Sequence, residues 1–194
     1  SIGEDAFLNC GIYQNEKKWR KGALIIDGCL VATNKALPAK YVFKSKKPIR
    51  LIAERAFAER EQLKTIVIPN TITAIPAAAF YQCENLTTVT IPATVSHVHK
   101  FAFYGCKTLT SITIPENITA IGGAAFQNCP NLTTVIFNAR NCTVAHTILG
   151  DNITPAFNNP AITRVEFGPL VNNIPNYIFW GCKKERRLPK RVSF

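Results

Sequence analysis

The sequence predicts a mainly β, right-handed solenoid of stacked coils about 23 residues long, and three observations predict it. Leu63, Leu86, Leu109 and Leu132 are 23 residues apart, and Phe57, Phe80, Phe103 and Phe126 keep the same interval. Ile68-Pro69 recurs as Ile91-Pro92 and Ile114-Pro115. Cys83, Cys106 and Cys129 hold one phase of the period. Such a fixed period marks units that cannot bury an apolar face alone and do so by stacking.

The first residues, Ile2-Gly3, Ala6-Phe7 and Cys10, match the second half of a unit, as in Ile121-Gly122, Ala125-Phe126 and Cys129. Residues 1–10 therefore read as a partial repeat. The chain contains no methionine, and its start shows no charged-then-apolar leader, so it reads as an excised or processed piece with more repeats expected upstream.

Residues 11–47 break the period and read as a hairpin insertion. Two apolar runs, Ala23 to Asp27 and Cys29 to Thr33, meet at Asp27-Gly28, a strong hairpin signal. Lysines and arginines around them read as the solvated edge of that hairpin.

Regular repeats occupy residues 48–137, resuming at Ile49. In Leu86-Thr87-Thr88-Val89-Thr90-Ile91, alternation sends Leu86, Val89 and Ile91 inward, and the β-branched neighbours favour an extended strand. Pro92 ends it, having no N–H for the ladder. A second extended piece follows, Ile72 to Ile75, Val95 to Val98 or Ile118 to Ile121, and then an Ala-Phe segment predicted as a short helical turn. The phenylalanines of successive coils are expected to stack as an internal column, Phe57 through Phe179.

Residues 138–182 read as irregular repeats: Phe126 to Phe157 spans 31 residues, so Ala139 to Asn152 is expected to bulge as a loop. Residues 183–194 read as a basic C-terminal cap or tail. The whole chain is taken as one domain.

The recurring unit Leu-Thr-Thr-Val-Thr-Ile-Pro, then Val/Ile-x-x-Ile/Val, then Ala-Phe-x-x-Cys resembles the BspA-like leucine-rich repeat. The match is close over 63–137 and recognisable over 2–10, 49–60 and 153–182. Departures are Arg60 and Asn159-Pro160 near cysteine phases, and Phe137-Asn138 in place of Ile-Pro. The resemblance implies a right-handed leucine-rich-repeat solenoid from a secreted or surface-attached bacterial protein. It also implies adhesion to host matrix proteins or to other cells, and no catalytic residues. A repeat consensus of this kind is structural, so it specifies fold far better than ligand.

Composition narrows the function classes. The 194 residues are 47% apolar and 10% aromatic, enough for a sizeable core. No run of about 18 apolar residues occurs, so membrane insertion is not expected. The net charge of +11 is uneven: residues 1–64 hold 13 Lys/Arg against 7 Asp/Glu, residues 65–182 hold 4 against 4, and residues 183–194 hold 6 against 1. Basic ends on a neutral body suit an acidic glycan or an anionic surface. Nucleic acid is not expected, because the aromatics lie in core phase and cannot stack on bases.

Candidate chemistry is sparse. Same-phase cysteines read as a ladder of small buried thiols, with Cys29 and Cys142 the accessible ones. His97 and His99 would share one strand face, but no third ligand lies nearby in sequence, so they read as solvated and no metal or cofactor is assigned. His146 has no nucleophile placed beside it by a recognisable motif. The broadest candidate surface is the outward side of the strands: Thr65, Thr88, Thr90, Ser111, Thr113, Thr134 and Arg164. The basic run Lys183, Lys184, Arg186 and Arg187 is the second candidate. The expected function is a non-catalytic binding module, extracellular or at a cell surface, whose partner is a host matrix or cell-surface protein or a glycan. A structural spacer and an electrostatic binder of acidic glycans are the alternatives, and the sequence leaves the oligomeric state open.

Overall fold

The computed structural model describes residues 10–43, 45, 47–144, 146–149 and 152–182. Over them the chain is mainly β and coils with the 23-residue spacing. Each coil gives one strand to a front sheet. Thr65–Val67 pairs in parallel with Thr88–Thr90, Thr65 opposite Thr88. Ser111–Ile114, Thr134–Phe137 and Arg164–Phe167 form a second parallel panel, with Ser111 opposite Thr134 and Thr134 opposite Arg164. Alternation buries Ile66, Ile68, Ile112, Ile114, Val135 and Phe137. Among the described residues the ladder is interrupted between the panels, where Val89 is only half-buried while Ile66 and Ile112 are buried.

The second extended pieces form a rear sheet. Ala74–Ile75, His97–Val98 and Ala120–Ile121 pair in parallel, and Val144 bridges to Ala120. Rear and front are joined through the Ala-Phe segments, which are not helical turns. Ala78, Phe101 and Ala124 have φ of 51°, 58° and 54°, and Gln82, Gly105 and Asn128 have 51°, 73° and 57°. Two left-handed residues in five cannot continue a helix. They turn alternate N–H groups toward the next coil: Phe57, Phe80 and Phe103 donate to the carbonyls of Ala79, Ala102 and Ala125 at 2.9, 2.8 and 2.8 Å. The turns are thus a third inter-coil ladder.

The phenylalanine column forms as the period requires. Phe57, Phe80, Phe103, Phe126 and Phe157 are fully buried, and neighbouring ring centroids lie 5.0, 5.1, 5.2 and 4.6 Å apart with planes within 14°. That spacing matches the roughly 4.8 Å between paired strands, so the rings inherit the backbone repeat. Tyr41 and Phe43 cover Phe57 edge-on at one end. Phe179 closes the other, 5.3 Å from Phe157 and in edge contact with Phe137 and Phe167.

Between residues 10 and 47 the structure adds detail to the insertion. Trp19–Arg20, Ala23–Ile26 and Cys29–Thr33 form an antiparallel meander. Its two turns, Lys21-Gly22 (φ 49° and 76°) and Asp27-Gly28 (φ 45° and 76°), both carry the paired positive φ that matches strand twist. Cys29–Thr33 also pairs in parallel with Leu51–Ile52, docking the meander on the N-terminal end of the stack. Thr33, buried, donates to the Ala56 carbonyl at 2.7 Å and ties it there. Lys40–Tyr41 pairs in parallel with Thr65–Val67, so the front sheet begins inside the segment 11–47 and before the Ile49 restart read from sequence.

The excess length between Phe126 and Phe157 is also placed differently from the 139–152 loop read from sequence. The chain keeps its period through Val144, which sits 23 residues after Ile121 and accepts its N–H at 2.8 Å. The excess is then a hairpin, His146–Leu149 antiparallel to Asn152–Pro155. The partial repeat over 1–9 and the tail over 183–194 lie outside the described residues.

Candidate functional site

The front sheet presents two outward columns. One runs Lys40, Thr65, Thr88, Ser111, Thr134, Arg164, and the other Val67, Thr90, Thr113, Ile136, Glu166. Six strands at about 4.8 Å spacing make this surface about 24 Å long. Thr88, Thr90, Ser111, Thr113 and Arg164 are exposed, and Thr65 and Thr134 are half-buried. All seven strand residues predicted from sequence therefore lie on one face.

Neighbouring hydroxyls do a different job. Thr87 Oγ1 donates to the Lys64 carbonyl at 3.0 Å, Thr108 Oγ1 to Glu84 at 3.0 Å, Thr94 Oγ1 to Ile72 at 2.9 Å and Thr119 Oγ1 to Ser96 at 3.1 Å. Asn85, Asn117 and Asn131 donate Nδ2 to Glu61, Ala93 and Lys107 carbonyls at 2.9, 2.8 and 2.8 Å. Each bond crosses from one coil to the one before it, so these side chains hold the stack together. Thr88, Thr90, Ser111 and Thr113 are exposed in mid-strand, and their hydroxyls take no part in these inter-coil bonds.

Charge is kept off the centre of the face. Arg164 pairs with Glu166 beside it at the C-terminal end, and Lys40 and Lys64 lie at the N-terminal end. Off the face, Lys107 pairs with Glu84 at 2.8 Å and Arg140 with Glu116 at 2.6 Å, each between adjacent coils. Asp27 on the meander is held below the usual carboxylate range by its hydrogen bond to Lys47 at 2.6 Å, with Arg50 adding to it. The predicted basic residues Lys183, Lys184, Arg186 and Arg187 lie outside the described residues.

The rear holds a cleft of about 370 Å³ lined by Glu54, Ala77, His97, His99, Lys100 and Val144. Partial burial, and then the neighbouring His97, lower the pKa of His99. No three His, Cys, Asp or Glu side chains among the described residues are grouped so as to hold a metal ion.

The thiols are structural. Cys83, Cys106 and Cys129 are fully buried, and their Sγ atoms lie 2.9, 3.4 and 3.2 Å from the carbonyls of Phe57, Phe80 and Phe103 in the preceding coil. Burial pushes Cys83 and Cys129 up to about 12 and Cys106 well above the ordinary thiol range, so none is a thiolate near neutrality. Where the phase lacks cysteine near Pro160, buried Asn159 instead donates Nδ2 to the Cys129 carbonyl at 2.8 Å. Cys142 corrects the sequence reading. It is fully buried, its Sγ 3.5 Å from the Val144 carbonyl and its pKa raised by burial to about 11, while Cys29 is half-exposed as expected.

Coil length, turn chemistry and thiol ladder all repeat one unit, and residues 50–186 match the BspA type leucine rich repeat region in six copies. The chain belongs to the BspA-type leucine-rich-repeat family. Among solved structures this BspA-type chain is similar to the leucine-rich-repeat protein of T. pallidum, at 17% identity over 84% of this chain and 82% of that one, with a TM-score of 0.50. It is also similar to a leucine-rich cell surface protein of Faecalibacterium prausnitzii, at 18% identity over 93% and 68% of the two chains, with a TM-score of 0.49. A leucine-rich-repeat protein of Eubacterium ventriosum matches at 19% identity over 86% and 61%, with a TM-score of 0.46. No curated protein matches. No helix among the described residues is long and apolar enough to cross a membrane.

Proposed function

We propose that this BspA-type chain is a non-catalytic binding module displayed at a cell surface or secreted, and that its front face engages a host matrix protein or a protein of another cell. The observation that carries the proposal is the division of hydroxyls: those at the coil edges are spent on the stack, and those in mid-strand are presented outward. Ser and Thr offer both donor and acceptor and lose little rotamer entropy on contact. The neutral centre favours a partner recognised by hydrogen bonds and shape over one drawn in by charge. Family membership supports the surface location.

The test is binding of the whole chain to an array of immobilised matrix proteins and glycans, compared with a Thr88→Lys/Ser111→Lys/Thr134→Lys variant. The proposal expects a protein ligand on the array and its loss in the variant, because three lysines in one column place like charges about 4.8 Å apart where the partner must seat. Unchanged binding removes this face from consideration. Retention on heparin that disappears when residues 183–194 are deleted favours the basic run as an acidic-glycan binder. An array with no ligand at all favours a spacer.

A further inference from the structure

The rear of the solenoid carries chemistry that the front-face reading does not use. His97 and His99 flank buried Val98, so both imidazoles leave the same side of the strand and stand over one cleft. Their ring centroids are 6.3 Å apart and their planes 24° apart. We propose that these two imidazoles form an open chelate for a late first-row divalent metal ion, Ni²⁺ or Cu²⁺, with solvent filling the remaining positions.

The ligand type fits, because imidazole nitrogen suits these metals and affinity climbs along the first row to Cu²⁺. The orientation of His97 fits as well. Ser96 Oγ lies 3.3 Å from the Thr73 carbonyl and 2.8 Å from His97 Nδ1. A hydroxyl has one proton. With it donated to Thr73, Ser96 Oγ accepts from Nδ1–H, and the lone pair of the ring is left on Nε2. A ligating histidine is ordinarily held in this way, its other ring N–H fixed by a hydrogen bond. Both residues are exposed, so rotation of the His99 side chain can bring its nitrogen onto an ion held at His97 Nε2 while the Ser96 bond stays in place. The missing third protein ligand distinguishes this site from a closed structural zinc site.

Calorimetric titration of the full chain with Ni²⁺ tests the proposal, Ni²⁺ being chosen because it does not oxidise the half-exposed Cys29. One equivalent is expected to bind. His97→Ala and His99→Ala are each expected to weaken binding on the order of 100-fold, the gain from linking two ligands on one frame. Ser96→Ala is expected to weaken it about tenfold, as loss of an orienting partner does. Far-UV circular dichroism identical to wild type shows that each variant is folded. Absence of binding by the wild type, or binding that survives in the His97→Ala/His99→Ala double variant, overturns the proposal.

Discussion

Removing one ring from the middle of the phenylalanine column is the sharpest perturbation of the stack. Phe103 is fully buried between Phe80 at 5.1 Å and Phe126 at 5.2 Å, with planes 5° and 10° apart. Phe103→Ala opens a void that the rear sheet and the turn ladder, both paired on either side of this coil, keep from collapsing. Core Phe→Ala substitutions cost about 3–5 kcal/mol. Two lost ring stacks, worth about 0.5–1.5 kcal/mol each beyond buried area, put this site at the upper end. With a urea m-value of about 2–3 kcal/mol/M, the unfolding midpoint should fall by about 1.5–2 M. Trp19 in the meander and Trp180 near the last turn give fluorescence from both ends, and far-UV circular dichroism reports the whole. Phe101→Ala, two residues away, is the internal control: that residue is 38% exposed and touches Tyr104 edge-on, so its loss should cost only about 1–2 kcal/mol. Equal midpoints for the two variants would refute the column as the core of the fold.

The site where the cysteine ladder is broken gives a second test. Asn159 is 3% exposed, donates to the Cys129 carbonyl at 2.8 Å and accepts the Ala161 N–H at 3.0 Å, so Asn159→Ala should cost about 1–3 kcal/mol by leaving buried groups unpaired. A thermal midpoint equal to wild type contradicts that role. Alkaline pH gives a third. Cys83 and Cys129 rise from 9.0 to about 12, and Cys142 from 9.0 to about 11, all chiefly by burial. Folded values above unfolded ones mean that this contribution is complete below pH 9 and is lost as pH rises toward 12. The thermal midpoint should hold steady from pH 7 to 8.5 and fall above 9, with a shallower fall in Cys83→Ala/Cys129→Ala, and a flat profile to pH 11 contradicts the buried ladder.

What was legible in the sequence is what repeats. Four phenylalanines at one interval fix the interior, and strand alternation then places Thr88, Ser111 and Thr134 outside. Asp27-Gly28 announced its turn because paired positive φ demands such residues. What was not legible depends on partners in another coil. Thr87 and Thr88 look alike in sequence, yet one hydroxyl is spent on the Lys64 carbonyl and the other is presented at the surface. Lys40–Tyr41 joins the front sheet 25 residues before Thr65, off the 23-residue period, with Tyr41 buried where Ile66 stands in the next coil. Cys142 reads as a loop residue from a sequence whose period stretches at Asn138, whereas the coil continues to Val144. The Ala-Phe segments carry helix-favouring alanine. Inter-coil hydrogen bonding overrides that local preference and selects left-handed φ at Ala78 and Ala124.

Thiol alkylation resolved by mass spectrometry tests most directly which residues the winding turns inward. Single variants Thr88→Cys, Ser111→Cys and Thr134→Cys in the native chain should be alkylated rapidly at the new position, while Cys83, Cys106, Cys129 and Cys142 remain unmodified until denaturant is added. Native labelling of the phase-locked cysteines at the rate of the introduced ones would mean that the coils do not stack as described.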